Sequence, residues 1–103
     1  MKILAMDTIL PGVTLEKIHP YLREEAAAAW KHYTDGMVRE IYFRLDHPGA
    51  VMVLECESVE EARKMTDELP LVRADLIRFE FIPLGPFLPF AELFGYEKAQ
   101  GPA

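Results

Sequence analysis

Two carboxylates and one arginine are the residues of this sequence with the clearest chemical potential. Glu25 precedes a run of four alanines, and Glu40 directly follows Arg39. A carboxylate whose pKa is raised toward neutrality by desolvation can act as a general base. An arginine is always charged and can hold a carboxylate through two parallel hydrogen bonds. These three residues are therefore the candidates for proton transfer and for carboxylate binding.

Three aromatic residues complete the candidate set. Trp30 and Tyr33 follow the alanines, and Tyr42 lies two positions after Glu40. Trp30 suits either a core position or the wall of a pocket. We assign catalysis to the two carboxylates, Glu25 and Glu40. We assign substrate binding to the remaining four residues, Arg39, Tyr33, Trp30 and Tyr42.

Each charged candidate also has a purely structural interpretation. Glu25 on the flank of a helix can simply be solvated. Arg39 at the end of a strand can extend its guanidinium from the helix-facing side to water. Two cross-strand or cross-subunit ion pairs are predicted on the same grounds: Glu40 with Arg44, and Glu55 with Arg78.

Charge and composition exclude several classes of function. The chain has 103 residues, a formal net charge of −6 and a pI of about 5.0. Such an acidic surface repels phosphate backbones, so no nucleic acid is predicted as a partner. The apolar run before Asp7 is too short for a signal peptide or a membrane span. A lone cysteine cannot form an intramolecular disulfide, and a cytoplasmic protein is predicted. The three histidines lie on separate elements and no glycine-rich loop is present, so neither a metal nor a cofactor is predicted.

Residues 36–58 are predicted to form the hairpin around which the fold is organised. The turn contains Pro48 and Gly49, and Leu45 is predicted to pair with Ala50. Alternation then places one apolar set of side chains under the helices: Ile41, Phe43, Leu45, Met52 and Leu54. The other face carries a mixed set: Val38, Glu40, Tyr42, Arg44, Val51, Val53 and Glu55.

The flanking segments predict two helices and two further strands. Strands are expected at residues 2–6 and 76–82, and helices at residues 20–35 and 59–69, with a short turn at 15–18. Gly36 ends the first helix, and Ser58 with Glu61 forms a capping box at the second. The order βαββαβ predicts an α+β, ferredoxin-like domain at residues 1–83, with a four-stranded antiparallel sheet and two helices on one face.

The first helix carries small side chains on its predicted inner side. Its apolar stripe, at helical spacing, consists of Leu22, Ala26, Ala29 and Tyr33. The stripe is predicted to join the core. The alanines either let the helix approach the sheet closely or leave space for a ligand beneath it.

Residues 84–103 form a tail rich in proline and aromatic residues. It is too apolar for a solvated segment, so it is predicted to pack on the domain or on a neighbouring subunit. The outer sheet face also carries apolar groups, at Tyr42, Val51, Val53 and Ile82. Such a face is rarely left in water, and the sequence therefore predicts a homodimer built by sheet-to-sheet packing, a dimeric α/β barrel.

A family resemblance is carried by four short stretches. GMVREIYFR, the second hairpin strand, SVEEA and LPL together resemble the muconolactone isomerase family of the dimeric α/β-barrel superfamily. The resemblance extends over residues 24–83. Glu40 stands where a histidine is expected in that family, and the tail resembles that of uncharacterised bacterial members of the superfamily.

The resemblance implies a proton shift next to a lactone carbonyl. That reaction needs a base, an acid or oxyanion partner, and a group that holds a carboxylate. It implies a cofactor-independent isomerase acting on a lactone or small organic acid, with Tyr33 or His32 donating to the developing oxyanion. The alternative is a non-catalytic binding, stress-response or assembly module of the same fold.

Overall fold

The computed structural model describes residues 1–95 of the chain. The strands are β1 (Lys2–Ile9), β2 (Val38–Phe43), β3 (Ala50–Glu55) and β4 (Ile77–Leu84). The α-helices are α1 (Leu15–Ile18), α2 (Leu22–Thr34), α3 (Val59–Asp67) and α4 (Pro70–Arg73). Two 3-10 helices lie at His19–Tyr21 and Leu88–Phe94.

The four strands form one antiparallel sheet in the order β2-β3-β1-β4. With α2 and α3 following β1 and β3, this is the predicted α+β, ferredoxin-like βαββαβ fold. The predicted cap at the start of α3 and the predicted stop after α2 are both present. Ser58 Oγ accepts a hydrogen bond of 3.1 Å from the N–H of Glu61, and Gly36 after α2 has a φ of +91°.

The core lies mainly between the sheet and α3. Its buried members come from β1, β2, β3 and α3: Ile3, Ala5, Val38, Met52, Leu54, Cys56, Ala62 and Met65. A second cluster joins α1, α4 and β4 through Ile18, Leu71 and Ile77. No residue of α2 is buried. The prediction that the stripe of Leu22, Ala26, Ala29 and Tyr33 belongs to the core is therefore wrong.

The hairpin register differs from the predicted one by two residues. Phe43 pairs with Ala50 and Ile41 with Met52, so Leu45 lies outside the strands and is fully exposed. The reason is a longer turn, which begins where the N–H of Arg44 donates to the carbonyl of Gly49 at 2.9 Å. A shift of two residues leaves Ile41 on the side that was predicted for it.

A β-bulge places Val38, the first residue of β2, on the opposite side of the sheet from the one predicted. Val38 pairs with Leu54 and Glu40 with Val53, so Arg39 is an extra residue on this strand. Val38 consequently points toward the helices and is only 1% exposed. Its predicted place on the outer face is wrong, because simple alternation does not hold across the bulge.

The predicted cross-strand ion pairs are not formed within residues 1–95. The guanidinium of Arg44 binds the carboxylate of Asp46 in the hairpin turn. Glu55 binds the terminal amino group at 2.6 Å. Glu40 instead accepts a hydrogen bond of 2.9 Å from the hydroxyl of Tyr42.

The C-terminal segment leaves the sheet after β4. Its apolar side chains are exposed: Phe87, Leu88, Phe90, Leu93 and Phe94. Phe87 and Phe90 contact each other edge-on, with ring centroids 5.0 Å apart. The last part of the predicted tail, residues 96–103, lies outside the described residues. No helix within residues 1–95 combines the length and the hydropathy that crossing a bilayer requires.

Candidate functional site

A cavity of about 780 Å³ lies between α2 and the hairpin side of the sheet. Its sheet wall is formed by Ile41, Phe43, Ala50, Met52 and Phe79, and its helix wall by Leu22, Glu25, Ala26, Ala29, Trp30 and Tyr33. The lining is mostly apolar. This volume is within the usual range of small-molecule sites, which runs from about 300 to 1,000 Å³.

Short side chains leave space beneath α2. Ala26 and Ala29 are too small to fill the space below the helix. Glu25 ties the first half of α2 to α4, and His32 lies against Asp35 and Glu68 near its end. The space below Ala26 and Ala29 is part of the cavity. Of the two sequence interpretations, the structure supports room for a ligand.

Glu25 is the candidate catalytic residue that lies inside this cavity. Its Oε1 accepts a hydrogen bond of 2.9 Å from the backbone N–H of Leu71 at the start of α4. Burial raises the pKa of the Glu25 carboxyl, the hydrogen bond from Leu71 opposes this, and the charge of Asp7 raises it further. The group is therefore a better proton acceptor than an exposed glutamate.

Asp7 is a second carboxylate in the cavity, and the sequence does not predict it as a site residue. We expected the first strand to end at Met6, whereas β1 continues to Ile9. Asp7 Oδ1 accepts a hydrogen bond of 2.9 Å from the N–H of Ala50. Burial raises the pKa of Asp7, and this hydrogen bond partly offsets the effect. Alternation with Ile3 and Ala5 was the signal that could have placed Asp7 under the helices.

Arg39 borders the cavity from the bulge in β2. Its Nε donates a hydrogen bond of 2.6 Å to the carbonyl of Gly36, which fastens the side chain to the loop after α2. The guanidinium stays exposed at the rim. An anionic group of a ligand can therefore reach it from solvent.

Glu40 and Tyr42 also border the cavity, from the outer side of the edge strand β2. Both side chains are exposed, and they are joined by the hydrogen bond from the Tyr42 hydroxyl. This bond to Glu40 is the main reason that the pKa of Tyr42 is raised. Glu40 thus lies at the rim, in a more polar environment than Glu25.

Trp30 and Tyr33 lie at the mouth of the cavity. Their rings stack with centroids 5.5 Å apart, and the two residues are 64% and 46% exposed. The position of Trp30 matches the predicted pocket wall and excludes the predicted core position. Together the two rings offer a flat apolar surface to a ligand that enters beneath α2.

All six predicted site residues therefore border one cavity, with Glu25 inside and the other five near the opening. His32, the second predicted oxyanion donor, is not among them. Its Nδ1 lies 3.2 Å from Asp35, and its Nε2 lies 3.7 Å from Glu68. Within residues 1–95, no three histidine, cysteine, aspartate or glutamate side chains come together as a metal site.

No protein-family model and no curated protein sequence matches this chain. A similar solved structure is that of 5-chloro-2-hydroxyhydroquinone dehydrochlorinase (TftG) from Burkholderia phenoliruptrix AC1100, in complex with 2,5-dihydroxybenzoquinone. The two chains are 16% identical, and the match covers 82% of this chain and 94% of the other, with a TM-score of 0.70. This likeness shows that the chain shares the fold of that enzyme.

Proposed function

We propose that this protein binds a lactone or small organic acid beneath α2 and isomerises it by proton transfer without a cofactor. One observation carries the proposal: a mostly apolar cavity of about 780 Å³ contains the half-buried carboxylate of Glu25. A carboxylate with a raised pKa in an apolar cavity is suited to general acid–base catalysis. The dehydrochlorinase with the same fold was solved with a small quinone bound, which also supports a small-molecule site.

The residues around Glu25 have complementary roles in this proposal. Arg39 at the rim binds the carboxylate of the ligand, and Tyr33 donates to the oxygen on which negative charge develops. Trp30 covers the apolar part of the ligand. Glu40, linked to Tyr42, is a second proton-transfer candidate at the opening, where water competes more strongly.

A homodimer is part of the same proposal. The outer sheet face carries half-buried apolar side chains at its centre: Leu4, Met6, Val51 and Val53. The segment at Leu88–Phe94 adds further exposed apolar groups that contact little of their own domain. A second copy packed on this face would bury both surfaces, and the aromatic segment would lie against the partner.

The alternative is a non-catalytic binding or assembly module, and specific contacts favour it. Glu25 caps α4 through Leu71, Arg39 fastens the loop at Gly36, and Glu40 holds Tyr42. Each of these contacts has a structural use without any reaction. A ligand that binds without being converted would agree with this alternative.

Binding and conversion of muconolactone test the proposal directly. Trp30 is the only tryptophan, so its emission reports occupancy of the cavity mouth. We expect the wild type to bind with a Kd below about 1 mM and to convert the lactone, followed by proton NMR. Glu25→Gln should lower the turnover rate at least about 100-fold while binding persists. Glu24→Gln, a neighbouring exposed change on α2, should leave both unchanged.

Failure of conversion would contradict the isomerase proposal. If muconolactone quenches Trp30 but the NMR spectrum of the lactone does not change, the protein is a binding module. If Glu25→Gln and Glu24→Gln convert the lactone equally well, the reaction does not depend on Glu25.

A further inference from the structure

Two carboxylates reach the cavity from opposite walls. Glu25 belongs to the helix wall, and Asp7 lies at the middle of the sheet, on β1. A backbone N–H holds one oxygen of each group, from Leu71 for Glu25 and from Ala50 for Asp7, at 2.9 Å in both cases. Within residues 1–95, no side chain or backbone group donates to the second oxygen of either carboxylate. A ligand in the cavity therefore lies between two oriented proton-transfer groups.

The surroundings of this pair favour the presence of one proton. The charged and titratable side chains that face the cavity besides the pair are Arg39 and Glu40 at the rim and the tyrosines Tyr33 and Tyr42. Among residues 1–95, no lysine or histidine lines the cavity. Two like charges in a half-buried apolar space repel each other, so the pair binds its first proton more readily than an isolated carboxylate does.

The charge of Asp7 also acts on Glu25. The charge of Asp7 raises the pKa of Glu25, so Glu25 holds a proton up to a higher pH than it would without Asp7. Asp7 lies on the sheet wall of the cavity, and Glu25 lies on the helix wall.

We infer that Asp7 is the catalytic base of this cavity and that Glu25 is the acid, an assignment that rests on the proposed function. Asp7 removes the proton from the γ-carbon of an unsaturated lactone, and the C–H electron pair moves into a dienolate. Glu25 then gives its proton to the carbon next to the carbonyl, where the dienolate electrons form the new C–H bond. Transfer of the proton from Asp7 to Glu25, directly or through water, restores the starting state.

Deuterium incorporation separates the two steps with muconolactone as the probe. In D2O, Asp7→Asn should lose product formation and exchange of the γ-proton together, both at least about 100-fold. Glu25→Gln should lose product formation and keep exchange of the γ-proton. Both amides retain an oxygen that accepts the backbone hydrogen bond. Asp67→Asn and Glu24→Gln, both exposed, are the matched controls. If Asp7→Asn converts muconolactone as fast as the wild type does, Asp7 is not the catalytic base. That result would leave the proposed function intact.

Carbon-13 NMR of the side-chain carboxyl groups tests the pair without any ligand. In Asp7→Asn, the Glu25 carboxyl should titrate in one step at a lower pH than in the wild type, because the repelling charge is gone. In Glu25→Gln, the Asp7 carboxyl should likewise titrate in a single step. If Glu25 titrates identically in the wild type and in Asp7→Asn, the two groups do not form a pair and the inference is wrong. If the wild type shows this coupling but does not convert muconolactone, the pair exists and the proposed function is wrong.

Discussion

Glu25 accepts a hydrogen bond of 2.9 Å from the backbone N–H of Leu71, 46 residues further along the chain. Leu71 lies in the first turn of α4, whose preceding residue Leu69 provides no side-chain cap. The carboxylate therefore satisfies a backbone donor that the short helix leaves unpaired. This contact gives Glu25 a structural role besides the chemical one.

Substitutions of Glu25 can separate these two roles. Glu25→Ala removes the acceptor and should lower the free energy of unfolding by about 1 kcal/mol, as the loss of a helix cap does. Glu25→Gln keeps an acceptor oxygen and should cost less than half as much. Urea unfolding at pH 7 measures both values. Equal losses in the two variants would show that the hydrogen bond to Leu71 contributes nothing measurable.

The general architecture could be predicted from the sequence, because it follows from periodicity and helix signals. The hairpin, the cap at Ser58 and the stop at Gly36 are local features, and the structure contains all three. The βαββαβ order follows from them without knowledge of any tertiary contact. The bulge at Arg39 has no such local signal, so the facing of Val38 was predicted wrongly.

The candidate site could be predicted only in part, because it depends on contacts distant in sequence. Helical spacing places Glu25 and the alanines correctly on one side of α2. It does not reveal that a cavity lies between this side and the sheet. Asp7 is not predicted for a simpler reason: a charged residue after an apolar run indicates the end of a strand. Its acceptance of the hydrogen bond from Ala50 allows it to stay within β1.

The raised pKa values of Asp7 and Glu25 predict how stability depends on pH. A carboxyl with a higher pKa in the folded than in the unfolded state stabilises the fold below its unfolded pKa. This contribution is lost as the pH rises through the folded pKa. For Asp7 the unfolded value is about 3.8. Relative to the wild type, Asp7→Asn should therefore become progressively more stable as the pH rises above about 4.

Urea unfolding of both proteins between pH 3 and pH 8 measures this difference, which should level off above the folded pKa of Asp7. The comparison cancels the opposite contribution of groups such as Asp46, whose pKa is lowered to about 2 by Arg44. A difference that stays constant over the whole range would mean that the pKa of Asp7 is the same in the folded and unfolded chains.

Gly49 should be needed to keep Asp7 in place. Its φ is +152°, and a Cβ at this position would lie 3.1 Å from both the backbone oxygen and Oδ1 of Asp7. Gly49→Ala should therefore lower the free energy of unfolding by about 1–3 kcal/mol and reduce turnover of the lactone. Gly85→Ala is the matched control, because an added Cβ there has open space. If both alanine variants unfold at the same urea concentration, the turn does not constrain Asp7.

The outer sheet face should control the oligomeric state. Val53 lies on β3, opposite Leu4 of β1 and Glu40 of β2, at the centre of the apolar patch proposed as the dimer interface. An aspartate there would be buried without a partner charge, which opposes association by several kcal/mol. Val53→Asp should therefore weaken the dimer at least about 100-fold, measured by sedimentation equilibrium.

Leu15→Asp tests whether this effect is specific to the sheet face. It introduces the same charge at an apolar residue that is 69% exposed on α1, outside the sheet. We expect Leu15→Asp to sediment like the wild type, as a dimer, and Val53→Asp to sediment as a folded monomer with an unchanged far-UV circular dichroism spectrum. A wild type that is monomeric at all concentrations, or a Val53→Asp protein that stays dimeric, would exclude this face as the interface. The exposed aromatic side chains of Leu88–Phe94 would then need a different partner surface.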